Sequence, residues 1–397
     1  MINKSLLKTG LFLSIIWFAT LGCKAQMLDT PHIPGTIIAH SPASTGVFLG
    51  TPSLVIAPDG TYFAAHDHFR GKWDLIHVYR SDDKGLTWKK ISEMDGFWSG
   101  LFWHNNHLYL MGTTGRYGHM VIRRSNDMGE TWTEPTNNNN GLIRRHTPDK
   151  GYHTSAVSIV KHNGRIYRPF EMARRDGGWG KFEAMVFSAP MDVDLLKAEN
   201  WISTTSMPVD TAWGTEYRTW LEGGAVISPD NTVVNILRVD NRDEEMAAIM
   251  HVSDDAKTVS FNPEHDFIRF PGGCKRFVIR YDESTDRYWS LTNWIPEEFE
   301  GHNVERTRNT LALVSSSDLR DWTVHKVVLQ DDNIHKSGFQ YVDWQFERGD
   351  LIFLSRTSFF DGENYADNQH NSNFITFHRI ENFRKHLNES IITLVNP

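Results

Sequence analysis

A chain of 397 residues, 40% hydrophobic and 12% aromatic, can bury a large core and is too apolar to belong among disordered proteins. Its formal charge of −8, with no basic stretch to offset it, excludes nucleic acid as the expected partner. The two cysteines, Cys23 and Cys274, exclude a disulfide framework.

Residues 1–22 read as an export signal. Lys4 and Lys8 precede the apolar run from Leu11 to Ala19, which is shorter than the roughly 20 residues that a spanning helix needs. The run ends in Thr20-Leu21-Gly22-Cys23, similar to a bacterial lipobox with an untypical first residue. Cys23 is then the expected site of lipidation, and cleavage after Ala25 is the competing reading. The protein is expected in the periplasm or held at the outer membrane, with a lipid anchor as its one membrane contact.

From residue 27 onwards the strand signals come in pairs. A short apolar run, a turn and a β-branched or aromatic run recur at Ser53–Ala65, Gly100–Met111, Ala156–Arg168, Ala225–Leu237, Phe277–Leu291 and Tyr341–Leu354. Further strand-like segments follow each pair, such as Leu75–Arg80 and Asn309–Val314. Long helical periodicity is absent. The pattern predicts one all-β domain over 27–397, a β-propeller of four-stranded antiparallel blades. Six blades are read, and residues 30–47 with the C-terminus leave room for a seventh. Irregular stretches at roughly 136–151, 204–219, 294–308 and 358–373 are the expected binding loops.

One turn repeats. Ser81-Asp82-Asp83-Lys84-Gly85-Leu86-Thr87-Trp88 returns as Ser125-Asn126-Asp127-Met128-Gly129-Glu130-Thr131-Trp132, with an eroded third copy at Ser316–Trp322. An Asp carboxylate can cap backbone N–H groups, Gly supplies a positive φ, and Trp packs the turn on its own sheet.

In each hairpin the start of the first strand and the end of the second share one edge of the sheet. Those positions should converge on the mouth. They are His66, Asp67, His68, Thr113, Thr114, His153, Glu171, Glu222, Arg238, Lys275, Arg276, Asn293, Gln340 and Arg356, with Arg174 just beyond and Tyr217 in a loop leading in. A ring of cations on an acidic protein suits a carboxylate or sulfate ligand. The bland reading of each Arg is an ion pair with Glu171, Glu222 or Asp343. For the histidines it is a hydrogen bond to backbone in the core. His66-Asp67-His68 has the alternation of a metal clip but no third ligand in evidence, so neither metal nor cofactor is expected.

The repeated turn resembles the Asp box of sialidase-type propellers. Further phrases, Tyr62–His68, Tyr152-His153-Thr154, His162–Arg168, Phe187–Pro190, Phe270–Gly273, Arg308–Ala312 and Gly338–Trp344, resemble a sialidase-like bacterial family of polysaccharide utilisation. The likeness implies action on rhamnose linked to a uronic acid, as in arabinogalactan or ulvan, by hydrolysis or by elimination. It places the early catalytic His on His66, or on His68. Likeness to true sialidases stops at the fold: Pro31-His32-Ile33-Pro34 has His where those enzymes have Arg, and no Arg triad can be assigned.

A glycosidase normally needs two flanking carboxyl groups, and Asp67, Glu171 and Glu222 form no recognisable pair in the sequence. Elimination needs only a carboxylate clamp with an acid and a base. The expected function is therefore β-elimination, as lyase or dehydratase, at a uronate of an acidic oligosaccharide. His66, His153 and Tyr217 would share acid and base roles, and Arg238 would hold the carboxylate. His68, Glu171, Arg174, Lys275, Asn293, Gln340 and Arg356 would bind substrate. The alternatives are an α-L-rhamnosidase and a non-catalytic glycan-binding propeller.

Overall fold

The computed structural model describes residues 32–70, 74–157, 159–175, 179–214 and 216–396; the expected export signal and Cys23 lie outside them. Among these residues, six antiparallel sheets follow one another in chain order and form the ring of a six-bladed β-propeller. Each blade is built outward from an inner hairpin. The inner hairpins are Ser53–Ile56 with Tyr62–Phe69 in blade I and Phe97–His104 with His107–Thr113 in blade II. Blades IV, V and VI follow with Trp220–Ile227 and Val233–Val239, Ile279–Asp282 and Arg287–Thr292, then Gly338–Glu347 and Asp350–Ser358. In blade III the inner position is split, because Lys150–His153 and Val160–His162 both pair with Arg165–Arg174.

No seventh sheet occurs among the described residues. Thr36–His40 pairs with Phe374–Ile380 and becomes the outer strand of blade VI, so the two ends of the chain lock one blade together. The C-terminal Ile392–Leu394 adds a fifth strand to blade V.

Both faces of each blade are buried, which is why the strands read as nearly continuous apolar runs. Six clusters of buried side chains lie one between each pair of neighbouring blades, and a seventh, with Phe97, Trp98, Tyr117, Ala173, Phe182 and Leu221, joins blades II, III and IV. In Tyr62–Phe69, Tyr62 and Ala64 pack towards blade VI, whereas Phe63 and Ala65 pack towards blade II. This alternation decides which residues of the strand reach the mouth.

The Asp-box turns form as their residues dictate. Asp83 accepts from the Thr87 N–H at 2.9 Å and its hydroxyl at 2.6 Å, Gly85 has φ +90°, and the Trp88 indole N–H donates to the Gly85 carbonyl. Ser125–Trp132 repeats these contacts. The copy at Ser316–Trp322 is one residue shorter and puts Leu319, at φ 68°, in the left-handed position. A fourth turn of this kind, Ser253–Val259, carries Ala256 at φ 56° with Ser253 donating to Asp255. With neither Gly nor Trp, it has too little of the pattern to be found by repeat.

Candidate active site

A cavity of about 530 Å³ opens where the inner strands begin and the second strands end. It is lined by eight arginines and only three carboxylates, on a chain whose net charge is negative. The edge of the sheets inferred from hairpin geometry is therefore the edge that carries the cavity. Of the residues expected there, Asp67, His153, Glu222, Arg238 and Arg356 line it and the others do not.

Asp67, not His66, faces the cavity from blade I. Its carboxylate accepts from the Thr51 N–H at 2.6 Å and from the Trp98 N–H at 2.7 Å. Burial pushes the Asp67 carboxyl up to about 7, against the pull of those N–H groups and of Arg356. His66 and His68 alternate with it and lie on the other face of the strand. His66 sits between the Asp67 carbonyl (2.9 Å) and the Tyr79 hydroxyl (3.3 Å), with the His68 ring stacked 5.9 Å away. Burial lowers His66 to about 3 and keeps it neutral. Its assignment as acid or base is corrected: it packs on His68, His77 and Tyr79 within blade I, and one step of strand phase separates it from the cavity.

Three inner strands begin with the same device. In blades II, IV and VI the register skips, with two residues facing one: Phe97 to Gly100, Leu221 to Gly224 and Gln340 to Asp343. The bulged residues Trp98, Glu222 and Tyr341 all have left-handed backbone, at φ 47°, 55° and 53°. Large side chains rarely adopt this conformation, and a bulge re-aims the side chain it carries. Here all three are turned into the cavity. A Cβ on Gly223 would lie 2.2 Å from the Asn235 amide, so the residue after Glu222 must be glycine.

Glu222 and Tyr341 meet around Arg238. The Arg238 Nη1 donates to Glu222 at 2.7 Å and to the Tyr341 hydroxyl at 3.5 Å, and Nη2 lies 3.6 Å from Glu305. Burial raises the Glu222 carboxyl, but Arg238, His153 and Arg308 more than offset it and keep Glu222 below the usual carboxylate range. Burial and then Glu222 raise the Tyr341 phenol, while Arg238, Arg308 and Arg356 pull it down. Arg308 and Arg356 lie over the Tyr341 ring, at 5.8 Å and 4.9 Å from its centroid. Among the described residues neither has a carboxylate within ion-pair distance. Arg308 donates to Gln340 at 2.9 Å and Arg356 to the His370 carbonyl at 2.5 Å. Burial lowers Arg356 to about 10. Two buried guanidinium groups without a direct ion-pair partner favour an anionic ligand.

His153 lines the cavity and is fixed by Glu171, with Nδ1 at 2.7 Å from the carboxylate. The other Glu171 oxygen accepts from the Gly223 N–H at 3.1 Å, so this buried carboxylate braces both the imidazole and the Glu222 bulge. The Trp98 ring packs 4.3 Å from His153 and completes the link to Asp67.

The remaining candidates serve other ends. Tyr217, half-buried, stacks on Phe267 at 3.8 Å against the blade III–IV core and does not line the cavity. Lys275 pairs with Glu245 at 2.6 Å and bonds the Val304 carbonyl. Asn293 donates to the carbonyls of Arg308, Thr310 and Phe339, and Gln340 orients the Arg308 guanidinium, so both shape the site from behind. Arg174 is exposed at a strand end, paired in register with Lys150 and outside the lining. Arg276 bonds the carbonyls of Val342 and Ala156 and ties blades together. The residues that strand phase missed are Tyr341, Arg308 and Trp98. Two sit in bulges that break the phase. Arg308 ends the irregular stretch 294–308, already set apart as a binding loop.

Neither a protein-family model nor a curated protein matches the chain. Among solved structures, an α-L-arabinanase of Penicillium chrysogenum is similar at 13% identity and TM-score 0.55, over 88% of this chain and 98% of its own. A Hadza microbial sialidase is similar at 13% identity and TM-score 0.58, over 87% of this chain and 68% of its own. An α-L-arabinofuranosidase of Fusarium graminearum is similar at 11% identity and TM-score 0.52, over 88% and 97%. At these identities the likeness establishes the fold: the chain is a six-bladed β-propeller.

Proposed function

We propose that the protein is a glycoside hydrolase that removes a sugar acid from the end of a glycan. The observation that carries this reading is Arg238 bridging Glu222 and the Tyr341 hydroxyl, with Arg308 and Arg356 over the same ring and Asp67 in the same cavity. The arginines would clamp the carboxylate. Asp67, protonated near neutral pH, would give its proton to the leaving oxygen. The Tyr341 oxygen would attack the anomeric carbon as its proton passes to Glu222, forming a glycosyl-tyrosine. Water, deprotonated by Asp67, would then attack the anomeric carbon and release the sugar, while Glu222 would hand its proton back to the departing Tyr341 oxygen.

A neutral phenol with a carboxylate behind it suits an anionic sugar, which would repel a carboxylate nucleophile. Tyr nucleophiles are the known exception to the two-carboxylate rule. The similar folds named arabinanase, arabinofuranosidase and sialidase support glycoside chemistry in general. The elimination expected from sequence loses support, since His66 is buried away from the cavity and Tyr217 packs on Phe267 outside its lining. The clamp touches the attacking oxygen, which favours a sugar whose carboxylate is on the anomeric carbon. A uronate of the rhamnose-linked kind carries it across the ring.

The test is to incubate the protein with glycosides of keto sugar acids and with rhamnose–uronate oligosaccharides from ulvan and arabinogalactan. Product mass and ultraviolet absorbance are followed together. A released, saturated sugar acid is the expected result. New absorbance from an unsaturated uronate would mean elimination and would overturn the mechanism.

A further inference from the structure

The acid that protonates the leaving group fixes the side of the cavity on which that group departs, and this side carries its own cations. Arg70 lies three residues beyond Asp67, where the blade I strand ends. Arg116 stands in the adjoining loop of blade II, whose main-chain N–H bonds to Asp74. Both are exposed and both line the cavity. Neither is firmly neutralised. Arg70 reaches Asp367 only at 3.5 Å, with both side chains about half exposed, a pair of little strength. Arg116 lies over the Tyr117 ring at 5.1 Å and, among the described residues, has no carboxylate within ion-pair distance. By contrast Arg218, on the Glu222 side of the rim, is held by Asp240 at 2.7 Å. Trp179, 43% exposed, lines the same cavity and offers a flat apolar face of the kind a sugar ring covers.

We propose that Arg70, Arg116 and Trp179 form a leaving-group subsite for a second acidic sugar, so that the natural substrate carries an anionic group on both sides of the bond that is cut. This rests on the reading above, since Asp67 sets the direction of departure. A neutral leaving sugar would need hydroxyl readers there, not two loosely paired guanidinium groups.

Calorimetric titration tests it, in a Tyr341→Phe background so that nothing is cleaved. The probes are N-acetylneuraminic acid with its α2–8-linked dimer, and galacturonic acid with its α1–4-linked dimer. In at least one pair the dimer should bind tenfold or more tightly than the monomer. The Arg70→Gln/Arg116→Gln double variant should bring that ratio below twofold; both residues are exposed, so the fold should tolerate the changes. A monomer that binds with no gain from its dimer, or a gain that survives the double variant, overturns the subsite and leaves the proposed hydrolysis standing. Binding of neither monomer nor dimer overturns the deep clamp and the subsite together.

Discussion

The Asp-box turns on the rim of the propeller and the bulged strand starts at its mouth both hold residues in left-handed backbone, but by different means. In the boxes the strain is small and solved locally. Each intact box has two left-handed residues in succession, Lys84 with Gly85 and Met128 with Gly129, and an Asp four residues or fewer away caps the exposed N–H groups. At the mouth the left-handed residues are Trp98, Glu222 and Tyr341, and their support comes from beyond the turn: Trp98 from Asp67 of blade I, Glu222 from Arg238 on the next strand of its own blade and, through Gly223, from Glu171 of blade III. At the mouth, where the side chains are large and buried, the left-handed backbone persists because the surroundings over-determine it. The rim device holds a turn, and the mouth device aims side chains into the cavity.

Substitutions at the two devices should therefore have opposite signatures. The largest effect is expected at Tyr341. Removing one oxygen in Tyr341→Phe should lower kcat by about three orders of magnitude or more, as loss of a nucleophile does, while the thermal midpoint stays within a few degrees. A loss of both together would place Tyr341 with the structural residues instead.

Asp67→Asn comes next, with a fall of about 10²–10⁴ on a sugar leaving group and a much smaller one on an activated aryl leaving group. The pH profile sharpens the assignment. The acid works protonated, so activity should decline as pH rises through about 7, the value to which burial brings Asp67. Asp67→Asn should remove that limb. An alkaline limb that persists in the variant would assign the titration to another group.

The smallest effect is expected on the rim. Gly129→Ala forces a Cβ into φ +89° and to within 2.9 Å of Ile91, a cost of about 1–2 kcal/mol. It should lower the unfolding midpoint and leave kcat unaltered. A variant that loses activity without losing stability would join the two devices that the fold keeps apart.

The sequence by itself determined the propeller. The turns and apolar runs are local, each hairpin declares itself within about a dozen residues, and two intact Asp boxes announce the repeat. Hairpin geometry also put the strand starts and ends on one edge of the sheets, the edge that carries the cavity, and so Arg238, Arg356, His153 and Glu222 stood among the candidates. Tertiary structure decided which face of each strand looks into the cavity. His66 and Asp67 differ by one step of a two-residue period, and both faces of a propeller blade are buried, so the usual polar-out signal is missing. It also decided the bulges. Tyr341 sits in an apolar stretch that reads as plain strand, and nothing local marks the skipped register that turns its hydroxyl to Arg238. The ring closure belongs here too: pairing of Thr36–His40 with Phe374–Ile380 joins segments more than 300 residues apart, a contact that no local pattern encodes.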